Sequence, residues 1–467
     1  MNYISTRGTA PKLSFDDVLL AGLARDGGLY LPETWPALSH QTIRSFATMS
    51  FADIAVEVID PFTNTAISRA DLARMTHDAY SGFGDPAVTP LVHLKPGTSI
   101  LELFHGPTLA FKDVAMQLLA RLMDHVLEKR GQRATIVGAT SGDTGGAAIE
   151  AFRSSKRVDI VILFPDGRVS DVQRRMMTTP TEAHVHAVAI DGTFDDCQAL
   201  VKAMFNDHGF RDRVHLSGVN SINWARIVAQ VTYYFAAAAK FGAPDKAVSF
   251  AVPTGNFGDI FAGFVAKRMG LPIERLIIAS NENDILPRTV ATGVYEMRGV
   301  VPTSSPSMDI QISSNFERYL FEASGRNAAA IRDMMAALAR DKRFELGPIW
   351  NVLKSDFAAV AASERDVADC ILRTKTQHGY LLDPHTACAV VAAEQCQTSG
   401  DTVVLATAHP AKFPDAIVAI TGEHPKLPAR LANLMTDPER FDSLPNDLAA
   451  VERFVESRCR GATKAIA

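Results

Sequence analysis

The sequence predicts an α/β protein, with a mostly parallel sheet covered by helices on both faces and a helical region at the N-terminus. Apolar residues recur at three- and four-residue spacing through residues 1–95, as in amphipathic helices. From about residue 99 onward, short apolar runs alternate with helical patterns, which is typical of parallel strands joined by helices. Two of these runs lead into glycine-rich turns, and folds of this class bind ligands at the carboxyl ends of their strands.

The elements follow in chain order. Helices are predicted in the N-terminal region at 15–20, 51–59 and 71–75, and a linker at 80–86. Buried strands are predicted at 134–138, 158–164, 185–190, 247–252, 275–280 and 402–407. Helices are expected at 114–128, 147–153 and 260–269, and Ala-rich helices within 327–375. We expect three regions: a helical domain at 1–95, a cofactor-binding α/β domain with an inserted small subdomain at 96–325, and an Ala-rich helical region with the rest of the binding domain at 326–467.

Composition narrows the class of protein. The chain has 467 residues, a net charge of −5 and an isoelectric point near 6.2, which gives no basic footprint for nucleic acid. No apolar run approaches the roughly 20 residues of a membrane span. The five cysteines are scattered, and neither they nor the histidines and carboxylates have metal-ligand spacing, so we expect no disulfide framework and no metal site. With no secretory or transit pattern, the sequence predicts a cytoplasmic protein.

A lysine in an unusual setting is the first candidate for chemistry. Lys112 ends the run His105-Gly-Pro-Thr-Leu-Ala-Phe-Lys and precedes an amphipathic helix. With its stem against Phe111, its amine is expected to be partly desolvated, which lowers the pKa of an ammonium group. A neutral amine can hold an aldehyde cofactor through a Schiff base.

Two glycine-rich turns are candidate anion sites. One is Ala139-Thr-Ser-Gly-Asp-Thr-Gly-Gly146 and the other is Pro253-Thr-Gly-Asn-Phe-Gly-Asp259, each between a strand and a helix. Free backbone N–H groups and the helix dipole favour anions there. Neither turn has the Walker pattern or Gly-x-Gly-x-x-Gly, which argues against a nucleoside triphosphate or a dinucleotide. One amine and two anion sites fit an aldehyde cofactor with a phosphate and a substrate with a carboxylate.

Four motifs in order now resemble those of a known family. The segments 105–113, 141–145, 255–259 and 407–413, together with 5–8 and 26–32 near the N-terminus, are similar to the threonine synthase family in its longer bacterial and fungal branch. The resemblance covers nearly the whole chain. It implies the tryptophan-synthase-like fold (fold type II) and the cofactor pyridoxal 5′-phosphate.

The resemblance also implies site residues. Lys112 is the cofactor lysine and the acid–base group, and Thr407 faces the pyridine nitrogen. Asp143 stands where many enzymes of this fold have an asparagine that donates to the phenolic oxygen, and an ionised carboxylate cannot donate. The cofactor phosphate is expected on Gly255, Asn256, Phe257, Gly258 and Asp259. A carboxylate repels a phosphate, so Asp259 is expected to cap the following helix.

The implied reaction converts O-phospho-L-homoserine and water to L-threonine and phosphate. Thr140, Ser141 and Thr144 are the candidates for the substrate carboxylate. The substrate phosphate needs a cation; Arg168, after a strand end, ranks first, followed by Lys412, Arg174 and Arg175. The segment 220–226 is a further polar cluster to which the sequence assigns no role.

Several alternatives share the lysine and the phosphate loop. An O-phosphohomoserine phospho-lyase or a serine/threonine dehydratase would release a 2-oxo acid instead of threonine. A catalytically silent scaffold of the same fold is disfavoured because Lys112, both loops and Thr407 are all present. We expect either a monomer or a homodimer.

Overall fold

The computed structural model describes residues 1–461. Its strands are β1 (Tyr3–Ser5), β2 (Tyr30–Pro32), β3 (Leu91–Lys95), β4 (Thr98–Glu102), β5 (Ala134–Ala139), β6 (Val158–Pro165), β7 (Val185–Asp191), β8 (Leu216–Ser217), β9 (Val248–Pro253), β10 (Ile273–Ser280), β11 (Val294–Glu296), β12 (Arg343–Glu345), β13 (Phe357–Ala361), β14 (Thr402–Ala406) and β15 (Asp442–Pro445). All six strands predicted from the sequence are confirmed, with ends shifted by up to two residues.

The helices lie between and around these strands. They are α1 (Phe15–Ala21), α2 (His40–Ser45), α3 (Phe51–Thr63), α4 (Arg69–Tyr80), α5 (Lys112–Arg130), α6 (Asp143–Phe152), α7 (Asp171–Thr178), α8 (Phe194–Asn206), α9 (His208–Arg213), α10 (Trp224–Lys240), α11 (Gly258–Arg268), α12 (Ile285–Thr292), α13 (Phe316–Ala323), α14 (Ala328–Asp341), α15 (Ile349–Asp356), α16 (Glu364–His378), α17 (Pro384–Gln395), α18 (Pro414–Thr421) and α19 (Leu448–Arg458). Three helices begin earlier than predicted, because α5, α6 and α11 start directly at the motif residues Lys112, Asp143 and Gly258.

Two sheets organise the fold. The larger has the strand order β13-β10-β9-β14-β4-β3 and is parallel except for the β3–β4 hairpin. The smaller has the order β15-β7-β6-β5-β8 and is parallel throughout. Every residue of β6 is buried, as expected for a strand covered on both faces. The predicted mostly parallel architecture is confirmed.

One region differs from the predicted elements. Residues 327–375 contain the expected helices but also β13, which pairs in parallel with β10 at the edge of the larger sheet. The N-terminal helical region ends with α4 at Tyr80, before the β3–β4 hairpin. Its helices α3 and α4 pack against α10 and α5, and the Tyr3 hydroxyl donates to the backbone oxygen of Phe62 at 2.8 Å.

Within residues 1–461, no helix is both long and apolar enough to cross a membrane.

Candidate active site

Four strand ends converge on one site. In the larger sheet, β9, β14 and β4 are direct neighbours, and their carboxyl ends lead to the 255–259 loop, to Thr407 and to the 105–112 segment. The fourth end is that of β5 in the smaller sheet, which leads to the 140–143 turn. Lys112 and Asp143 are in contact at 3.3 Å, so the site lies at the carboxyl ends of strands from both sheets, where open α/β folds bind ligands.

The segments that carry Lys112 and Thr407 are joined by backbone hydrogen bonds. The Phe111 N–H donates to the Thr407 carbonyl at 2.8 Å, and the His409 N–H donates to the Leu109 carbonyl at 3.0 Å. Leu109 is fully buried with φ at 59°, a left-handed conformation that costs energy for a branched side chain. These contacts fix Thr407, a buried residue, relative to the start of α5.

The surroundings of Lys112 match the sequence prediction of a desolvated amine. Only 8% of Lys112 is exposed, and its Nζ lies 5.0 Å from the centre of the Phe111 ring. Burial lowers the pKa of Lys112; the nearby Asp143 carboxylate acts to raise it, whereas the charges of Lys412 and Arg226 lower it further. The result is a lysine whose neutral form is favoured relative to a solvated amine.

Asp143 is the centre of a buried polar cluster. Its Oδ1 accepts from Lys412 Nζ at 2.7 Å and from Gln173 Nε2 at 2.9 Å. Its Oδ2 lies 3.3 Å from Lys112 Nζ and accepts from the Ser307 hydroxyl at 3.3 Å. Burial acts to raise the pKa of Asp143, but the two ammonium groups outweigh it and hold this pKa well below its usual range. Asp143 is therefore an ionised acceptor that positions two lysines.

The 255–259 loop is held by its carbonyl groups. The Gly255 carbonyl accepts from the Ser313 hydroxyl at 2.6 Å, and the Asn256 carbonyl accepts from the backbone and side-chain nitrogens of Asn315, both at 3.0 Å. Phe257 adopts a left-handed conformation at φ 61°, with its ring packed on Phe316 and two further aromatic rings. The loop leads directly into α11, whose first N–H groups lack partners within the helix.

Asp259 does not cap α11, contrary to the sequence expectation. The N-cap residue of α11 is Phe257, which makes no side-chain cap bond. The carboxyl group of Asp259 instead accepts hydrogen bonds from Tyr233 and Tyr234 of α10, at 2.5 and 3.0 Å. The reason is that Asp259 lies inside the first turn of α11 and not before it.

Ser307, which the sequence did not single out, lies between Asp143 and the 255–259 loop. Its hydroxyl donates to Asp143, and its carbonyl lies so close to Gly255 that a Cβ on that glycine would be 2.8 Å away. Its N–H donates to His385 Nε2 at 3.2 Å, and Asp383 bonds the other ring nitrogen of that histidine at 2.9 Å. No sequence signal marks this serine, because its importance arises only from tertiary contacts.

The three hydroxyl residues expected at the substrate carboxylate lie in different surroundings. Thr140 is buried, and its hydroxyl oxygen accepts from the N–H groups of Gly142 and Gly145, both at 2.9 Å. Ser141 is exposed, and Thr144 is half-buried on the first turn of α6. Thr140 therefore shapes the turn, whereas the other two hydroxyls remain open to a ligand.

The structure separates the predicted phosphate-binding cations. Arg168 is exposed on the turn after β6, and its charge lies near that of Asp196. Arg174 and Arg175 pair with Glu439. Of the four predicted cations, Lys412 alone joins the buried cluster, where its Nζ also donates to the Thr108 carbonyl at 2.8 Å.

A buried guanidinium that the sequence left without a role lies beside this cluster. Arg226, in the first turn of α10, is 3% exposed and donates from Nη1 to the Val219 carbonyl at 3.1 Å. Within the described residues its Nε has no hydrogen-bond partner. Burial lowers the pKa of Arg226 to about 10, and its charge reaches Lys112. A buried cation without a carboxylate partner is costly, which indicates an anionic ligand.

The two motif histidines fix loop geometry. His105 Nε2 lies 2.7 Å from a Glu102 carboxylate oxygen, and His409 Nδ1 accepts from the Ala411 N–H at 3.1 Å. Burial, with help from the Arg430 charge, lowers the pKa of His409 to about 4. His409 is therefore neutral near pH 7 and is not a proton donor to the substrate.

His409 predicts an acid-dependent loss of stability. The unfolded chain protonates this histidine at its ordinary pKa of about 6.5, but the folded protein does so only near 4. The unfolded state therefore binds more protons between these values, and the free energy of unfolding falls by up to roughly 3 kcal/mol as the pH drops through that window. Urea titrations from pH 7 to 4 should show a shallower pH dependence for His409→Gln. The same change at His40, an exposed histidine outside the site, is the control.

Gly255 provides a test of the loop. A side chain at position 255 must displace the Ser307 backbone and block close approach to the N–H groups of the loop. We expect Gly255→Val to weaken pyridoxal phosphate binding at least about tenfold, because backbone N–H groups at a helix start supply much of such a site. Equilibrium dialysis measures this loss, with Gly299→Ala as control because a Cβ at Gly299 meets no atom within 4 Å. Normal cofactor binding by Gly255→Val would show that the loop is misassigned.

Comparisons with known proteins identify the family of this chain. The family model "Threonine synthase N terminus" matches residues 2–80, "Pyridoxal-phosphate dependent enzyme" matches 85–408, and "Threonine synthase, C-terminal" matches 386–455. The second match alone covers more than half of the chain and contains Lys112, both glycine-rich loops and Thr407.

Relatives match over almost the full length. Threonine synthase of Pseudomonas aeruginosa is 50% identical, covering 97% of this chain and 98% of its own length, and that of Saccharomyces cerevisiae is 42% identical with 97% of both covered. The solved structure of pyridoxal-phosphate-bound threonine synthase from Brucella melitensis superposes with a TM-score of 0.97 at 59% identity, covering 98% of this chain and all of that one. The chain therefore belongs to the threonine synthase family of pyridoxal-phosphate-dependent enzymes of fold type II.

Proposed function

We propose that this protein converts O-phospho-L-homoserine and water to L-threonine and phosphate. One observation supports a phosphorylated substrate in particular. The buried Arg226 guanidinium has no carboxylate partner in the described part of the chain and lies close enough to Lys112 to influence its charge. The phosphate of such a substrate would supply the missing counter-charge.

The residues fit the cofactor. Lys112 is a buried lysine with a lowered pKa, and the glycine-lined 255–259 loop precedes a helix start suited to a phosphate. Thr407, fixed by the Phe111 bond, is the hydroxyl for the pyridine nitrogen. When bound, pyridoxal phosphate supplies an electron sink that stabilises negative charge on the substrate carbons. The positive charges of Lys412 and Arg226 favour binding of both the anionic cofactor and the anionic substrate.

Lys112 is the proton-transfer group. Its lowered pKa makes more of the neutral amine available to accept a proton and to return it. The amine would take one proton from the α-carbon and would have to release it before taking another from the β-carbon, while Asp143 holds the amine in place. After the phosphate leaves the γ-carbon, water adds at the β-carbon. In many enzymes of this fold an asparagine at this position donates a hydrogen bond to the phenolic oxygen of the cofactor. Asp143 is ionised and can only accept, so we assign this donor role to its partners Lys412 and Gln173.

Arg226 is the proposed clamp for the substrate phosphate, in place of Arg168. The exposure of Arg168 and the burial of Arg226 support this assignment, because a charge-assisted bond is strongest where water is excluded. Ser141 and Thr144, with the N–H groups at the start of α6, are proposed for the substrate carboxylate. Thr140 supports their turn from beneath.

Product analysis tests the reaction. The purified protein loaded with pyridoxal phosphate is incubated with O-phospho-L-homoserine, and threonine, 2-oxobutyrate and phosphate are each quantified. Equal amounts of threonine and phosphate support the proposal. Phosphate with 2-oxobutyrate would identify a phospho-lyase. In a separate incubation with threonine as the substrate, formation of 2-oxobutyrate would identify a dehydratase. A loaded protein that forms none of these products in either incubation would indicate a scaffold.

We further propose a cytoplasmic protein that acts on a small molecule and is a monomer or homodimer. All five cysteines are free, and four of them are buried, which suits a reducing compartment. The proposed binding domain takes in residues 96–325 and the C-terminal part of the chain, since β14 pairs with both β4 and β9.

A further inference from the structure

Asp259 is a buried carboxyl group with an unequal environment at its two oxygens. Its Oδ1 lies 2.5 Å from the Tyr233 hydroxyl and 3.0 Å from the Tyr234 hydroxyl. Its Oδ2 has no hydrogen-bond partner among the described residues, although Asp259 is only 6% exposed. An ionised carboxylate would bury a bare, charged oxygen at high cost. A neutral carboxylic acid fits better, with Oδ1 as its carbonyl oxygen and Oδ2 as its hydroxyl.

The position of Asp259 in α11 places its carboxyl group next to the proposed phosphate loop. Asp259 is the second residue of α11, directly after the 255–258 turn. Side chains of an α-helix lean toward its N-terminus, and at this end the backbone N–H groups also lack partners within the helix. An acid O–H at this place is one more donor beside the N–H groups of the loop.

The charged and titratable groups around Asp259 agree with a neutral acid. Burial raises the pKa of Asp259 to about 7, although both tyrosine hydroxyls and the charge of Lys112 act to lower it. Arg226, on the same helix as the tyrosines, interacts electrostatically with Tyr233. On α13, which packs against α11, the Arg318 guanidinium is bound to Tyr30, Ile222 and Asn315. Within residues 1–461, the hydrogen bonds and ion pairs of Asp259 therefore include no second carboxylate and no cation, although the charge of Lys112 reaches it.

We propose that Asp259 is a neutral acid in the cofactor-bound protein and that its Oδ2–H donates a hydrogen bond to the cofactor phosphate, so that cofactor binding at alkaline pH takes up about one proton. This inference rests on the proposed role of residues 255–259 as the phosphate loop. It explains how a carboxyl group can lie beside the phosphate dianion of the cofactor: in its neutral form the group donates a hydrogen bond and does not repel the phosphate.

The first test uses the holoenzyme. At about pH 8, a protonated carboxyl gives an infrared C=O band that shifts in D₂O, and the difference between wild type and Asp259→Asn should contain this band. The asparagine is the matched variant, because its amide keeps both size and a donor. A difference spectrum with only ionised-carboxylate bands would overturn the proposal.

The second test counts protons. Cofactor-free protein is titrated by calorimetry with 4′-deoxypyridoxine 5′-phosphate, which has the ring and phosphate but no aldehyde for Lys112. At about pH 8 in buffers of different ionisation enthalpy, wild type should take up about one proton more than Asp259→Asn. Its dissociation constant should rise toward tenfold per pH unit above about pH 7 relative to that variant. Near pH 6 both differences should vanish, because Asp259 is then already protonated.

Two further variants keep the outcomes apart. Tyr233→Phe removes a donor that lowers the pKa of Asp259, so it should move the onset of proton uptake to higher pH even if Asp259→Asn folds poorly. Gly255→Val tests the loop itself. If that variant binds the probe normally, the loop assignment fails. If it does not bind while wild type and Asp259→Asn take up equal protons, the loop assignment stands and the proposal for Asp259 is overturned.

Discussion

Replacing Lys112 with alanine is expected to abolish turnover and to remove the covalent attachment of pyridoxal phosphate, while the fold stays intact. The loss of the acid–base group alone should cost about 10²–10⁴-fold in rate, and the loss of the Schiff-base amine adds to it. The variant should retain its thermal unfolding transition, because removal of a buried amine also removes its desolvation cost. The absorbance band of the lysine-bound cofactor and steady-state rates are the measurements.

Lys129 provides the matched control. It lies on the same helix as Lys112 but is exposed, so Lys129→Ala should keep the absorbance band and the rate. Borohydride reduction of the wild type followed by peptide mapping should place the cofactor on the peptide that contains Lys112. A label on any other lysine would refute the assignment.

Replacing Arg226 with methionine is expected to lower kcat/KM for O-phospho-L-homoserine. The decrease should correspond to a loss of about 2–5 kcal/mol in transition-state binding, the usual cost of losing a buried charge-assisted partner. The absorbance of the lysine-bound cofactor should remain. Without substrate the variant should be at least as stable as wild type, because a buried guanidinium without a carboxylate partner is replaced by an apolar side chain. Initial rates and thermal unfolding measure the two effects.

Arg168→Ala distinguishes Arg168 from Arg226 as the residue that binds the substrate phosphate. Because Arg168 is exposed, this change should leave kcat/KM within about twofold, as for most surface substitutions. A large loss in Arg168→Ala together with normal activity in Arg226→Met would return the phosphate site to Arg168. Equal losses for phosphorylated and unphosphorylated substrates in Arg226→Met would make Arg226 a structural residue.

The main elements of the fold were predictable because parallel strands that are buried on both faces have continuous apolar runs, as in β6 and β9. β13 was missed because Phe357-Ala-Ala-Val-Ala follows an Ala-rich helical region and pairs on one side only. The two-residue β8 and the edge strand β15, Asp442–Pro445, also lack an apolar run. Their strand conformation is imposed by their partners β5 and β7 and not by local preference.

The site was predictable where chemistry lies within a motif. Lys112 and the glycine-rich loops are local sequence features, and the structure brings them together at neighbouring strand ends. Arg226 and Ser307 could not be predicted in this way. Arg226 is distinguished by its burial without a counter-ion, and Ser307 by its contact with a distant loop. Arg168 follows a strand end, as the sequence predicts, but the turn that carries it faces solvent, and solvent exposure of a turn cannot be predicted from the motif.

The position of β14 has a consequence for how the protein is made. β14 lies between β9 and β4 in the larger sheet, yet it is the last strand of that sheet to leave the ribosome. Until residues 402–406 have been synthesised, the facing edges of β4 and β9 have no neighbour, and unpaired strand edges promote aggregation. Thr407 and Lys412 follow directly after this strand. A growing or truncated chain that ends before residue 402 therefore lacks β14 as well as Thr407 and Lys412, so we expect cofactor binding only in the final stage of synthesis.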